Sequence, residues 1–223
     1  MLFERALIIA PHPDDDILGV GGYIKKLTAS GCEVNVLTVS GHLPPLYSEE
    51  AFVTTVKEAA NAHALVGVAH CQYLKIPATT IGDVPINELN GKVVDAVNSF
   101  KPSLVLCPYP DRHIDHRLVF DAAMVATRPV GAGANIRLLA AYETLSETHW
   151  NAPHIEANFV PNWVVDITDT IGIKKQALSC FKSQISPFPG PRSIEAVEAL
   201  SIFRGTQSGF AYGEGFHIIR MIS

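Results

Sequence analysis

The chain reads as a single α/β domain over residues 1–223, Rossmann-like, with a mostly parallel, doubly wound sheet. Three observations predict this. Short apolar runs alternate with helix-spaced segments from residue 5 to residue 142, giving the order β-α-β-α-β-α-β-α-β. That alternation belongs to parallel sheets wound by crossover helices. The runs at 5–10 (RALIIA) and 103–107 (SLVLC) are continuous rather than alternating, as in strands covered on both faces. The 223 residues are 48 % hydrophobic and 17 % charged, enough apolar material for one sizeable core and too little charge for disorder.

The elements follow in order. Residues 5–10 form the first strand, stiffened by β-branched Ile8 and Ile9. Residues 19–29 fit a helix closed by Gly31. Residues 33–39 are a second strand that ends in the loop Ser40-Gly41-His42. Ser48 is placed to cap a helix that carries Glu49 and Glu50 in its first turn and runs to Gly67. A third strand at 71–76 precedes a helix at 85–100, spaced through Ile86, Leu89, Val93, Val94 and Val97. A fourth strand at 103–107, a helix at 116–127 and a fifth strand at 137–142 complete the regular part. The last third reads as a polar and aromatic loop (146–161), a short strand (163–166), a helix (169–182), a proline-rich turn (187–191), a helix (193–203) and a terminal strand (216–222).

Composition removes several functional classes. A formal charge of −5 with no basic run argues against binding nucleic-acid phosphates. The first ten residues lack the pattern of a secretory signal, and no apolar run approaches the ~20 residues of a membrane span. Cys32, Cys71, Cys107 and Cys180 are dispersed with no C-x-x-C pair. They read as free, mostly buried thiols of a cytoplasmic protein.

The chemistry concentrates in two stretches. Residues 6–22 read A-L-I-I-A-P-H-P-D-D-D-I-L-G-V-G-G, a strand running into one histidine, three aspartates and a glycine cluster. Three adjacent carboxylates repel one another, and no Lys or Arg lies between Arg5 and Lys25 to compensate them. A divalent cation would, with His12 as its nitrogen ligand. Residues 103–117 repeat the design: a strand, a proline-marked loop, then P-D-R-H-I-D-H-R. Loops at the carboxyl ends of parallel strands share one sheet edge, so His12, Asp15 and His116 can converge on one cation. Two nitrogens and one oxygen leave a coordination position for water, the pattern of a catalytic zinc site. Other first-row divalent ions suit the same donors.

At these residues the sequence resembles the PIG-L/LmbE-like zinc-dependent N-deacetylase family. The family's A-H-P-D-D-E stands here as A-P-H-P-D-D-D, and its H-x-D-H as His113-Ile114-Asp115-His116. Weaker matches are G-V-G-G at 19–22, K-S-Q at 182–184 and A-Y-G-E-G-F at 211–216. The resemblance implies that His12, Asp15 and His116 bind zinc and that Asp14 is the general base. It implies that His113 stabilises the oxyanion or assists the leaving amine, with Asp115 orienting it. The implied reaction is hydrolysis of the N-acetyl group of an amino sugar or its conjugate, a small-molecule substrate. Three departures stand out: Asp16 where Glu is usual, Ala78 in place of an acidic residue after the third strand, and Lys57 where many relatives carry arginine before the glutamate of the second helix.

Other residues have two readings each. His12 with Asp14 and Asp15 has a metal-free alternative as a helix-entry cap cluster. Asp16 reads as a supporting or capping residue, and Asp115 as an N-cap or an orienter of histidine. Asp111 and Arg112 read as a solvated loop pair or as residues that touch substrate, with Arg112 the candidate substrate contact. His42 either lines the pocket or is an ordinary loop residue. His149 and Trp150 either stack on a sugar or serve packing. Glu214 reaches toward the site or stays structural, and His63 and His70 read as structural or solvent-facing. For the chain as a whole, the alternatives are an amidase acting on a thiol-sugar conjugate, a metal-bearing scaffold without catalysis, and a nucleotide-binding oxidoreductase module suggested by G-V-G-G. Anionic Asp14–Asp16 would repel a pyrophosphate at that helix start. A weakly held homo-oligomer is expected.

Overall fold

The computed structural model describes residues 3–152 and 154–222; Met1 and Leu2 of the N-terminal reading and Pro153 of the polar loop lie outside them. The strands are β1 (Arg5–Ala10), β2 (Glu33–Gly41), β3 (His70–Pro77), β4 (Leu104–Pro108), β5 (Leu138–Tyr142), β6 (Trp163–Asp166) and β7 (Gly213–Met221). The helices are α1 (Asp15–Ala29), α2 (Glu49–Val66), α3 (Ile86–Phe100), α4 (Ile114–Ala126), α5 (Leu145–Thr148), α6 (Ile171–Leu178) and α7 (Ile194–Thr206).

All seven strands join one sheet in the order β3-β2-β1-β4-β5-β7-β6. The first five pair in parallel, while β7 runs antiparallel to both β5 and β6. Two apolar layers cover the faces. One packs Ile8, Val36 and Leu106 against Ile17, Ile24, Ala59 and Phe181 from α1, α2 and the segment after α6. The other packs Ile9, Leu37 and Val105 against Leu89, Val93, Val119 and Ala123 from α3 and α4. The central strands therefore bury both sides, which is why their sequences show no polar alternation.

Local chemistry sets several ends. Ser48 caps α2, its Oγ accepting from the Ala51 N–H at 3.3 Å, and Gly67 closes it at φ +87°, a left-handed position that suits glycine. α1 begins four residues earlier than expected, at Asp15, because Asp15 and Asp16 suit the positive end of a helix. It kinks at Val20 among the glycines. The helix expected over 169–182 spans only Ile171–Leu178, and the loop expected over 146–161 contains part of the single-turn α5. Among the described residues no helix is long and apolar enough to cross a membrane.

Strand order reverses between β1 and β4, the neighbours at the centre of the sheet. A crevice opens at such a switch point beyond the carboxyl ends of the strands. The loops after β1 and β4 carry the two chemistry-bearing stretches into it.

Candidate functional site

His12, Asp15 and His116 meet in that crevice, with exposures of 8 %, 0 % and 0 %. One donor atom from each lies within 4.8 Å of the others. The Asp15 carboxylate is the hub. Its Oδ2 accepts from the His12 backbone N–H at 2.9 Å, lies 3.0 Å from His12 Nδ1 and stands 3.4 Å from His116 Nε2. The far nitrogen of each ring rests on another buried carboxylate: His12 Nε2 on Asp115 Oδ2 and His116 Nδ1 on Asp111 Oδ2, both at 3.0 Å. These outer bonds fix the rings so that their remaining nitrogens face Asp15, the orientation used by carboxylate-supported histidine ligands.

The electrostatics call for added positive charge. Burial disfavours protonation of both rings, yet the carboxylates overcome it. Asp115 and Asp15 hold His12 up to about 9, and Asp15 and Asp111 hold His116 up to about 10. Burial works against the Asp15 anion too, but the His116 and His12 rings beside it keep its carboxyl well below the usual range. His116 Nε2 and Asp15 Oδ1 are buried with no hydrogen-bond partner. A buried nitrogen and a buried oxygen left without partners on two neighbouring residues, at a cost of a few kcal/mol, are what a cation-binding donor set leaves when protein partners are counted alone. The residues fit a divalent metal. A second set, His12, His113 and Asp115, is also close enough to share an ion. Its Asp115 Oδ2 is already committed to the Thr79 N–H at 2.8 Å and its His113 Nδ1 to the Asp115 N–H at 3.2 Å.

That last bond corrects one expectation. The N-cap of α4 is His113, through Nδ1, and not Asp115. The Asp115 carboxylate supports His12 rather than the His113 ring. Because Nδ1 of His113 accepts, the proton of the neutral ring is assigned to Nε2. Burial and the neighbouring His12 and His116 depress the ring to about 4, so it is neutral near pH 7.

Asp14 stands at the N-cap position of α1 but makes no side-chain capping bond, which removes the cap-cluster reading for this carboxylate. Its Oδ2 accepts from Arg192 Nη1 at 3.1 Å. Burial raises the Asp14 carboxyl above its usual range, with Arg192 opposing. An open cleft of about 120 Å³ exposes Asp14, His12, His42, His113 and Arg192 together. It opens to solvent and has room for a small polar group such as an amide.

The remaining expected residues fall elsewhere. Arg112 and Trp150 do not line this cleft. Arg112 pairs with Glu147 at 3.1 Å, and its guanidinium lies 5.5 Å over the exposed Trp150 ring. His149 binds the Glu143 carboxylate at 2.8 Å. Glu214 is structural: it accepts from the Gly22 and Tyr23 N–H groups and from Lys174 Nζ. Asp16 turns away from the cluster to His63 Nε2 at 2.7 Å, so the shortened third acid holds α2 against α1. His63 is thus buried and structural, whereas His70 is exposed. The glycines that suggested a nucleotide loop are packing positions. A Cβ on Gly19 would overlap the Tyr142 ring, and one on Gly22 would meet Ile167 at 2.9 Å. A pyrophosphate has no approach there.

Two residues escaped the sequence reading. Asp111, taken for a solvated partner of Arg112, is fully buried and accepts from His116 Nδ1, the Thr148 hydroxyl and the His113 N–H. Its spacing of five from His116 was a usable signal. Arg192 arrives from the turn before α7, some 178 positions from Asp14, with no local cue.

Known proteins resemble the chain over nearly its whole length. The chain is 28 % identical to a diacetylchitobiose deacetylase of Thermococcus kodakarensis, over 97 % of this chain and 83 % of that protein. The structure of N,N'-diacetylchitobiose deacetylase from Pyrococcus horikoshii superposes with a TM-score of 0.77 at 26 % identity, covering 97 % of this chain and 84 % of that one. A conserved protein from Thermus thermophilus matches with a TM-score of 0.80 at 26 % identity, over 98 % of this chain and 96 % of that one. The family model described as PIG-L, GlcNAc-PI de-N-acetylase, matches residues 7–127, more than half of the 223 residues and both motif loops, and the chain belongs to that family.

Proposed function

We propose that the chain is a metal-dependent hydrolase that removes an N-acetyl group from an amino sugar or amino-sugar conjugate. The observation that carries this is the buried trio His12, Asp15 and His116, with its unpartnered nitrogen and oxygen, whose His12 lines a cleft together with Asp14 and His113. His12, Asp15 and His116 would hold the ion, with zinc the best match to two imidazoles and one carboxylate. When bound, such an ion acidifies a water and polarises the acyl oxygen.

The protein's own groups do the rest. Asp14 is free of the cluster and takes the proton of the attacking water as its oxygen bonds to the acyl carbon. The raised affinity of its buried carboxyl for a proton makes it a better base than a solvated aspartate. As the C–N bond breaks, Asp14 returns the proton to the leaving amine, and acetate remains. Arg192 holds the Asp14 carboxylate toward the cleft. His113, neutral and with Nε2–H free, donates to the acyl oxygen as negative charge grows there. Asp111 and Asp115 orient the two histidine ligands. His42 lines the same cleft and is placed to touch the substrate. The free thiols suit the reducing cytoplasm as its compartment.

The test is amine release from N-acetylglucosamine and its glycosides before and after chelation. Activity that disappears with the metal and returns with one equivalent of zinc supports the proposal. Undiminished activity in chelator, or no amine from any acetamido sugar with metal restored, overturns it.

A further inference from the structure

One residue of the catalytic cleft sits in a backbone conformation that its side chain disfavours. Thr79, in the loop after β3, holds φ at +68°. Glycine adopts that left-handed region freely, whereas a β-branched residue is strained there. The surrounding bonds impose it. Three consecutive N–H groups are committed: Ala78 to the Gly41 carbonyl at 2.9 Å, Thr79 to Asp115 Oδ2 at 2.8 Å and Thr80 to the Pro77 carbonyl at 3.1 Å. The Thr79 bond matters to the site, because the same Asp115 oxygen steadies His12 Nε2. Any residue but proline supplies that N–H, and glycine would supply it without strain. The backbone therefore does not account for the threonine.

Packing does not account for it either. Thr79 is exposed, and its hydroxyl has no hydrogen-bond partner among the described residues. It lines the cleft beside His12, Asp14 and His113. The neighbouring Ala78 is buried and offers this wall only a methyl group. Other polar groups around the cleft are already engaged: Arg192 with Asp14, Ser146 and Gln184, and Gln184 with Arg192 and Ser183. Strain kept at the cleft wall, on a side chain whose hydroxyl bonds nothing in the protein, is the pattern of a residue retained for a ligand.

We infer that Thr79 is a specificity-determining residue whose hydroxyl binds an oxygen on a ring carbon next to the one that bears the acetamido group. Its N–H shares the Asp115 oxygen with the metal-ligand candidate His12, so its side chain stands close to where the amide reacts. The oxygens flanking that amide are the sugar polar groups nearest to it. The inference rests on the deacetylase reading and names one element of its substrate recognition. Zinc-loaded wild type, Thr79→Gly, Thr79→Val and Thr79→Ser are compared on N-acetylglucosamine and on two analogues, each lacking one flanking hydroxyl. Every variant keeps the N–H on Asp115, so zinc affinity stays within twofold of wild type. Thr79→Gly relieves the backbone and melts about 2–4 °C higher. Thr79→Gly and Thr79→Val each raise KM about fivefold, the worth of one neutral hydrogen bond, with kcat changed less. Thr79→Ser restores KM to within twofold. In the wild type one of the deoxy analogues shows the same rise, and Thr79→Val adds nothing to it. Thr79→Val matching wild type, Thr79→Ser losing as much as Thr79→Gly, additive losses on both analogues, or a lowered melting temperature in Thr79→Gly overturns the contact. Absence of amine release by the wild type overturns the catalytic reading instead, and calorimetric binding of the same sugars then decides the contact.

Discussion

Asp111 offers a sharp test of how the site is held, because its contribution can be worked from three bonds. Oδ2 accepts from His116 Nδ1 at 3.0 Å and from the Thr148 hydroxyl at 2.9 Å, and Oδ1 accepts from the His113 N–H at 2.9 Å. Asp111→Asn keeps the volume but has one accepting oxygen for two sets of donors. In one amide orientation its NH₂ confronts the His113 N–H; in the other it confronts His116 Nδ1–H and the Thr148 hydroxyl. Each loses at least one hydrogen bond to a charged acceptor, worth about 1.5–3 kcal/mol. The His116 ring is then free to turn or change tautomer. Loss of such support lowers metal affinity about 10–100-fold, which agrees with that energy at about 1.4 kcal/mol per tenfold. Zinc affinity measured by competition with a chelator at fixed pH, on variants whose melting remains cooperative, reads this directly. An affinity within twofold of wild type refutes the claim that His116 presents Nε2 to the metal under the control of Asp111.

Three further outcomes follow from the same geometry. Asp14→Asn retains zinc affinity, since Asp14 is outside the donor trio, and loses about 10²–10⁴ in turnover; near-wild-type kcat in a steady-state amine assay contradicts its role as base. His113→Ala costs about 10²–10³ in kcat if its Nε2–H stabilises the acyl oxygen, and a loss under tenfold reduces it to the cap of α4. Burial disfavours the Glu143 anion, but two Arg204 bonds at 2.7 Å and one from His149 at 2.8 Å hold its carboxyl below the usual range. A folded-state value below the unfolded one stabilises the protein above about pH 4.5, and that stabilisation is lost as pH falls through the folded value. Thermal melts of Glu143→Gln should therefore lie below wild type at pH 7 and converge with it in acid; a constant gap contradicts the pairing.

The first five strands were legible because each is a continuous apolar run between polar punctuation, and their parallel pairing follows from the helices between them. The direction of β7 was not, since a strand's own sequence does not encode which way its neighbour runs. His12, Asp15 and His116 were readable because their loops leave strands at one sheet edge. What local pattern could not supply is the set of contacts made from afar: Arg192 on Asp14, Asp115 on His12, His63 on Asp16. Each is a long-range answer to a buried carboxylate, and the need for an answer was visible while its source was not. Asp111 was misread for the reverse reason. Its neighbour Arg112 offered an obvious local partner, but the folded chain buries the acid under α5 and sends the arginine out to Glu147 and Trp150.

The most direct test of the central claim is the position of the anomalous scattering peak in crystals of the zinc-loaded protein. The account predicts one peak bonded at about 2.0–2.2 Å to a ring nitrogen of His12, a carboxylate oxygen of Asp15 and Nε2 of His116, with Asp14 uncoordinated. A peak held instead by His12, His113 and Asp115, or one remote from all of these, would contradict it.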